Sequence, residues 1–219
     1  MIKKFSYIIF ILIKFLDGIL KFFFKKTFLN SLKDYLEKDS YKALEIQGKK
    51  RNFFVPNQVI EWRVNTFFSK EPETLEWIDS FNNEKKFIFW DIGANIGLYS
   101  IYAALKYSNC EVVSFEPSTS NLRTLSRNIS INKLEDKIKI FTNPLSNKTN
   151  KFLLMNEGQF IEGGALNTYG ENYNFEGKKF DKSMSYQLLG KSTNSILENK
   201  ILDTPNYIKI DVDGIEHLI

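Results

Sequence analysis

The stretch Lys86-Phe87-Ile88-Phe89-Trp90-Asp91-Ile92-Gly93-Ala94-Asn95-Ile96-Gly97-Leu98-Tyr99-Ser100 constrains the fold more than any other part of the chain. A short, unbroken apolar segment leads through an acid to two glycines, and then into residues with helical spacing. Phe87 to Trp90 does not alternate, as a strand with one wet face would. It reads as a central strand buried on both faces of a parallel sheet. Gly93 and Gly97 supply two positions without a Cβ, as a sharp turn or a closely approaching ligand requires. Leu98, Ile101, Tyr102 and Leu105 then recur at helical spacing. A strand–glycine loop–helix unit sets backbone N–H groups and a helix N-terminus beside whatever lies over the loop.

A second unit follows. Glu111-Val112-Val113-Ser114-Phe115-Glu116 reads as a strand ending in an acid, and Asn121 to Asn132 as a helix with Leu122, Leu125, Ile129 and Ile131 facing inward. Glu116 stands 23 residues after Gly93, where nucleotide-binding sheets hydrogen-bond a ribose. A βαβ crossover returns the second strand beside the first, so the two strand tips are neighbours. The glycine pattern is D-x-G-x-N-x-G, with Asn95 in mid-loop and no third glycine of the kind a pyrophosphate site uses for close helix packing. That points to an adenosine ligand without a pyrophosphate, S-adenosylmethionine, rather than to a nicotinamide dinucleotide. The plainer alternative is a glycine turn that binds nothing.

Length and composition set the frame around this centre. The 219 residues suit one domain with appendages, and 43% hydrophobic residues suffice for a core. One cysteine, Cys110, excludes an intramolecular disulfide and a cysteine-based zinc site, and one histidine, His217, excludes histidine-rich metal chemistry. No metal site is expected, and the counts fit a reducing, cytoplasmic setting. The net charge of +4 is uneven. Residues 1–51 carry 12 Lys/Arg against 5 Asp/Glu, a net of +7, and the remainder carries 18 against 21, a net of −3. The basic excess therefore belongs to the N-terminal arm, and no basic stripe crosses the α/β part, which argues against a nucleic acid partner.

Three segments are expected: a basic, amphipathic helical arm over 1–50, lead-in strands and a helix over 51–84, and a Rossmann-like α/β domain over 85–219. In the arm, Lys14, Asp17 and Lys21 interrupt an otherwise apolar run, which disfavours a spanning helix. No small-residue cleavage site follows, which disfavours a secretory signal. On a helix, Lys3, Tyr7, Lys14, Gly18, Lys21 and Lys25 form one stripe; Ile8, Ile9, Leu12, Phe15, Leu16, Ile19 and Phe23 face the other way. Residues 3–26 thus suit peripheral contact with the inner face of a membrane, or packing on the protein itself or on a partner. A second, polar helix is expected over 29–47. Short strands are expected at Asn52 to Val55 and Gln58 to Val64, and a helix opened by Glu71-Pro72. Lys137 to Phe141 reads as a third strand of the sheet. At its tip Asn143 and Ser146 either border the adenine or form a plain polar turn. Lys151 to Met155 reads as a strand, 149–190 as the least regular part, with Gly163-Gly164 in a lid, a specificity wall or a simple connector, and Thr193 to Glu198 as a short helix.

The last feature, Tyr207-Ile208-Lys209-Ile210-Asp211-Val212-Asp213-Gly214-Ile215-Glu216, is a buried strand that ends in acids. Ligands of open α/β sheets sit outside the C-terminal strand ends, so Asp211 and Asp213 are placed near a methyl donor. There they accept a proton from a substrate hydroxyl or share a divalent cation. Otherwise Asp211 caps the next helix and Asp213 lies on the surface.

Together, Phe89 to Ser100, Phe115-Glu116-Pro117 and Ile208 to Glu216 resemble the FkbM-type methyltransferases, over roughly residues 85 to 219. The resemblance implies a class I, S-adenosylmethionine-dependent, Rossmann-like fold and O-methylation of a hydroxyl in a natural product, a glycolipid or a surface-polysaccharide sugar. By matching position, it implies that Asp91, Gly93, Ala94, Asn95 and Gly97 form the cofactor loop, that Glu116 binds the ribose, and that Asp211, Asp213 and Glu216 match the family's D-V-E-G-x-E stretch. Two departures stand out: the family usually has Glu where Asp213 stands, and a Leu-Asp pair where this chain has Thr193-Asn194. Family members also continue past the last strand, so the chain is expected to be a C-terminally truncated version. A small-molecule or glycan acceptor is the implied partner. The rival expectations are a non-catalytic membrane-associated or scaffolding fragment that keeps the fold, and a nicotinamide-dependent oxidoreductase.

Overall fold

The computed structural model describes every residue except 174–176, 213, 215, 217 and 218, and the chain divides into two units, Met1–Tyr41 and Lys42–Ile219. The first holds α1 (Ile2–Phe24) and α2 (Leu29–Lys38). The polar helix ends at Lys38, not near residue 47. From Tyr41 the side chains alternate, with Lys42, Leu44 and Ile46 turned inward, which is strand rather than helix periodicity. A hairpin results, β1 (Tyr41–Ile46) and β2 (Lys49–Phe54), turned by Gln47 and Gly48 at φ 53° and 68°. Two successive positive φ values are what a tight hairpin turn requires.

The expected strand at Gln58 to Val64 is instead the first half of α3 (Gln58–Lys70). Asn57 caps it: its Oδ1 accepts from the Ile60 N–H at 3.0 Å, which satisfies one of the unpaired donors of the first turn. Ile60, Val64 and Phe67 then fall on one buried stripe. After α4 (Pro72–Asp79), with Pro72 in its first turn, the chain enters its main sheet. Its elements are β3 (Phe87–Ile92), α5 (Leu98–Lys106), β4 (Cys110–Phe115), α6 (Thr119–Ile131) and β5 (Ile138–Phe141). A small antiparallel sheet follows, in the order β7-β6-β8, from β6 (Phe152–Glu157), β7 (Thr168–Tyr169) and β8 (Met184–Leu189). Then come α7 (Thr193–Glu198) and β9 (Tyr207–Ile210).

β9 returns to the main sheet, whose four parallel strands run in the order β5-β4-β3-β9. The apolar segment identified in the sequence is thus the inner strand β3, with Phe89 and Trp90 fully buried. Phe87, Phe89, Ile101, Val112 and Ile138 pack on one face of the sheet, and Trp90, Ile92, Val113, Phe115 and Ile196 on the other. Register sets one polar row across the sheet: Asp91 lies opposite Lys209 on one side and Ser114 on the other.

Candidate functional site

That polar row closes beneath the glycine loop. Asp91 is fully buried. Its Oδ2 accepts from Ser100 Oγ at 2.6 Å, and Ser100 in turn accepts from Ser114 Oγ at 2.7 Å. The Lys209 ammonium lies 3.4 Å from Asp91 Oδ1 and 3.6 Å from Asp211 Oδ2. Burial alone would push the Lys209 pKa down, but Asp91 and Asp211 outweigh it and hold the amine above its ordinary value. The acid of the glycine motif therefore anchors the end of β9 from below and lines neither cavity described next.

The two glycines serve protein packing. Gly93 has φ 81°, and a Cβ there would lie 1.9 Å from the Asp211 carbonyl oxygen. Gly97 has φ 84°, and its Cβ would lie 2.5 Å from Leu125 Cδ1. Gly93 thus admits the backbone of the chain just past β9, and Gly97 lets α6 approach the start of α5. Asn95 sits between them at φ 53°, a left-handed conformation that asparagine tolerates better than most residues.

Glu116 fastens this loop to the second strand. Its Oε2 accepts from the Asn95 N–H at 2.7 Å and its Oε1 from the Ser118 N–H at 2.8 Å. Burial pushes its carboxyl up to about 7, although those two N–H groups favour the charged form. The Asn121 side chain adds a further hydrogen bond, and a carboxylate, with about four acceptor positions, still has room for a ligand hydroxyl. Behind it, fully buried Glu157 on β6 accepts from Ser118 Oγ at 2.8 Å and Ser120 Oγ at 3.3 Å, and so steadies the start of α6.

An open cavity lies over the strand tips. Gly93, Asn95, Glu116, Asn143 and Asp211 line it from the main sheet, and Met155, Gly164, Asn167 and Tyr169 from the small sheet and its connection. The Gly163-Gly164 segment is a wall. Asn95 Nδ2 donates to the Gly164 carbonyl at 2.8 Å, Asn121 Oδ1 accepts from the Gly163 N–H at 2.9 Å, and Arg63 Nε donates to the Gly163 carbonyl at 2.7 Å. Ser146, expected near an adenine, does not line the cavity. Its N–H donates to the Lys191 carbonyl and its Oγ accepts from the Lys148 N–H, because the chain pairs there, at Leu145, with Lys191 just past β8.

A second cavity shares Gly93, Asn95 and Asp211 with the first and is otherwise lined by Arg63, Phe67, Lys70, Glu71, Ala94, Tyr99 and Lys209 among others. Tyr99 donates its hydroxyl to Glu71 Oε2 at 2.8 Å, and Lys209 Nζ stands 5.0 Å from the centre of its ring. Burial and the Glu71 carboxylate raise the Tyr99 pKa, so its hydroxyl keeps its proton. Burial alone would raise Glu71, but hydrogen bonds from Lys70 and Tyr99 outweigh it and keep it an anion. Arg63, Glu71 and Tyr99 were not foreseen as site residues. Glu71 read only as helix-start chemistry, and Tyr99 carried a signal in its place two residues after Gly97. Asp211 touches both cavities with its carboxylate half-exposed, and Glu216, not Asp211, accepts from the Val212 and Gly214 N–H groups that follow. Asp213 lies outside the described residues.

The model of the methyltransferase FkbM domain matches residues 91–219. The chain belongs to the FkbM methyltransferase family. The parallel sheet is accordingly the class I methyltransferase sheet, and S-adenosylmethionine is the cofactor the family implies. The residues present fit it. Glu116 offers a buried carboxylate at the tip of β4, and among the described residues the buried Oδ1 atoms of Asn95 and Asn167, two residues of the cavity wall, have no hydrogen-bond partner. A curated relative, methyltransferase sdnD of Sordaria araneosa, is 38% identical over 66 residues, which are 30% of this chain and 26% of that protein. The match thus spans about a quarter of the relative's length. Among solved structures, TYW2 of P. horikoshii in complex with MeSAdo has 19% identity and a TM-score of 0.34, covering 50% of this chain and 40% of that one. A SAM-dependent methyltransferase from Agrobacterium tumefaciens has 14% identity and a TM-score of 0.31, covering 47% and 32%.

Proposed function

We propose that this FkbM-family chain is an S-adenosylmethionine-dependent O-methyltransferase acting on a hydroxyl of a sugar or polysaccharide, a glycolipid or a natural product. The observation that carries the reading is the meeting of the two cavities at Gly93, Asn95 and Asp211. The cofactor belongs in the first cavity, with its ribose on Glu116, its adenine toward Asn143 and its methionine end toward the glycine loop. It supplies an electrophilic methyl on a sulfonium sulfur. The acceptor enters through the second cavity, whose wall carries Arg63, Lys70 and Lys209 against Glu71 and Asp211. With Asp91 beneath Lys209 these charges balance, which suits a neutral, hydroxyl-rich acceptor better than an anion. No nucleic acid partner is invoked.

The work of the chain is alignment and proton removal. Holding nucleophile and methyl in line lowers the barrier of a direct displacement. Asp211 is the carboxylate that reaches both cavities, so it is assigned the hydroxyl proton. Lys209 positions that carboxylate, and the Glu71 carboxylate and the Tyr99 oxygen, whose own proton is held by Glu71, accept from the acceptor's other hydroxyls. The test is methyl transfer by the whole chain from isotopically labelled cofactor to a panel of glycans and polyols. Asp211→Asn should lower kcat by about 100-fold or more while leaving the affinity for S-adenosylhomocysteine unchanged. Full turnover by that variant would remove Asp211 from the role, and absence of transfer to any hydroxyl by a chain that binds the cofactor would refute the reaction class.

A further inference from the structure

The N-terminal unit carries an apolar surface that its own fold leaves open. Within α1 only Ile13 is half-buried and only Asp17 is buried; every other side chain of the helix is exposed. At 100° per residue Ile8, Leu12, Phe15, Leu16, Ile19 and Phe23 share one broad face, and their exposure runs from 41% for Ile19 to 70% for Phe23. The opposite stripe carries Lys3, Lys14 and Lys21. At about 1.5 Å per residue the helix is roughly 35 Å long, so this is a continuous amphipathic strip rather than a scatter of surface leucines.

The one acid in residues 1–26 does not dilute the charge of that strip. Asp17 turns away to cap α2. It accepts from Thr27 Oγ1 at 2.7 Å, from the Phe28 N–H at 2.7 Å and from the Leu29 N–H at 3.2 Å. The Thr27 hydrogen bond, with help from the two N–H groups and Lys21, holds its pKa below the usual carboxylate range. What remains on offer is an apolar face in a segment, residues 1–26, that carries six lysines and no available acid. Among the described residues no helix is long and apolar enough to cross a membrane.

We propose that α1 lies in the interface of an anionic lipid bilayer, its Leu12–Phe15–Ile19 face in the acyl region and its lysines on the headgroups. Charge complementarity selects this occupant. A second copy of α1 would cover the apolar face but would bring two sets of lysines together with no acid to pair them. An anionic leaflet covers the face and neutralises the lysines at once, and each lysine adds roughly fivefold to the partitioning at modest ionic strength. The inference is independent of the methyltransferase reading.

The test is co-sedimentation of the full chain with vesicles of phosphatidylcholine alone and of phosphatidylcholine mixed with phosphatidylglycerol. The mixed vesicles should bind at least tenfold better. Lys3→Gln/Lys14→Gln/Lys21→Gln, which keeps the helix, should lower binding to them by about a hundredfold, and Leu12→Ser/Phe15→Ser should abolish it. Far-UV circular dichroism and the thermal transition of the larger unit, both unchanged, exclude misfolding as the cause. Equal binding to the two vesicle types, or the triple glutamine variant binding like wild type, overturns the proposal. So does a chain that ignores vesicles but self-associates through Leu12 and Phe15, because it identifies the occupant as a second copy.

Discussion

Gly93→Ala separates two ways in which a glycine can be required. Gly93 and Gly48 both have positive φ, 81° and 68°, but a Cβ on Gly48 meets nothing within 4 Å, whereas one on Gly93 would lie 1.9 Å from the Asp211 carbonyl oxygen and 2.9 Å from its carbon. Alanine in a left-handed conformation costs about 1–2 kcal/mol, and that is the whole expected cost of Gly48→Ala. At Gly93 the obstacle is backbone held by the Asp211 N–H to Ile92 carbonyl bond at 3.0 Å, so it cannot swing aside as a side chain does. Relieving the overlap means shifting the end of β9, an overpacking cost of about 1–3 kcal/mol more. Gly93→Ala should therefore lose about 2–5 kcal/mol in urea unfolding, read against Gly48→Ala in the same protein, and lower Tm by roughly 5–20 °C. It should also weaken any ligand that uses Asp211. Equal losses for the two variants would refute the reasoning, because they would show that the approach of β9 to the loop places no demand on residue 93.

Two further outcomes follow from the buried charges. Lys209→Met strands the fully buried Asp91 without its cation and should cost about 3–5 kcal/mol in chemical denaturation, with at least half recovered by adding Asp91→Asn; a loss below about 1 kcal/mol would contradict the pairing. Burial lifts Glu116 from an ordinary 4.5 to about 7, so its contribution to stability is fully present below pH ~4.5 and is lost as pH rises through ~7, about 3 kcal/mol in all. Glu116→Gln should flatten that part of the stability–pH curve, and parallel curves for wild type and variant would contradict it. Ligand binding runs the other way, since a ribose needs the carboxylate: affinity for S-adenosylhomocysteine should fall about tenfold from pH 8 to pH 6.

The sheet was legible where chemistry and period agreed. Phe87 to Trp90 could only be an inner strand, and Asp91, Gly93 and Glu116 marked the strand tips, because a buried apolar run ending in an acid and a glycine leaves few alternatives. Gln58 to Val64 misled. Val59, Ile60, Trp62 and Val64 mimic strand alternation, and the helix is decided by the Asn57 cap and by Phe67 one turn further on. The glycines were half legible: both take the positive φ that a sharp turn needs, but the crowding atoms at Gly93 and Gly97 come from Asp211 and Leu125, residues that only the folded sheet brings near. The same holds for the cavity wall. Asn121, Gly164 and Glu157 act across separations of 37 to 69 residues, which no local pattern encodes. Asp17 looked like a charge interrupting an apolar run; it is the cap of the next helix.

The most direct test is calorimetric titration of the intact chain with S-adenosylhomocysteine, alongside Glu116→Ala. One-to-one binding is expected at neutral pH, weakened at least tenfold by the substitution, since a hydrogen bond to a charged group is worth about 1.5–3 kcal/mol. A folded chain that gives no binding, or one that binds equally well without the Glu116 carboxylate, would contradict a cofactor site built on the glycine loop and the tip of β4.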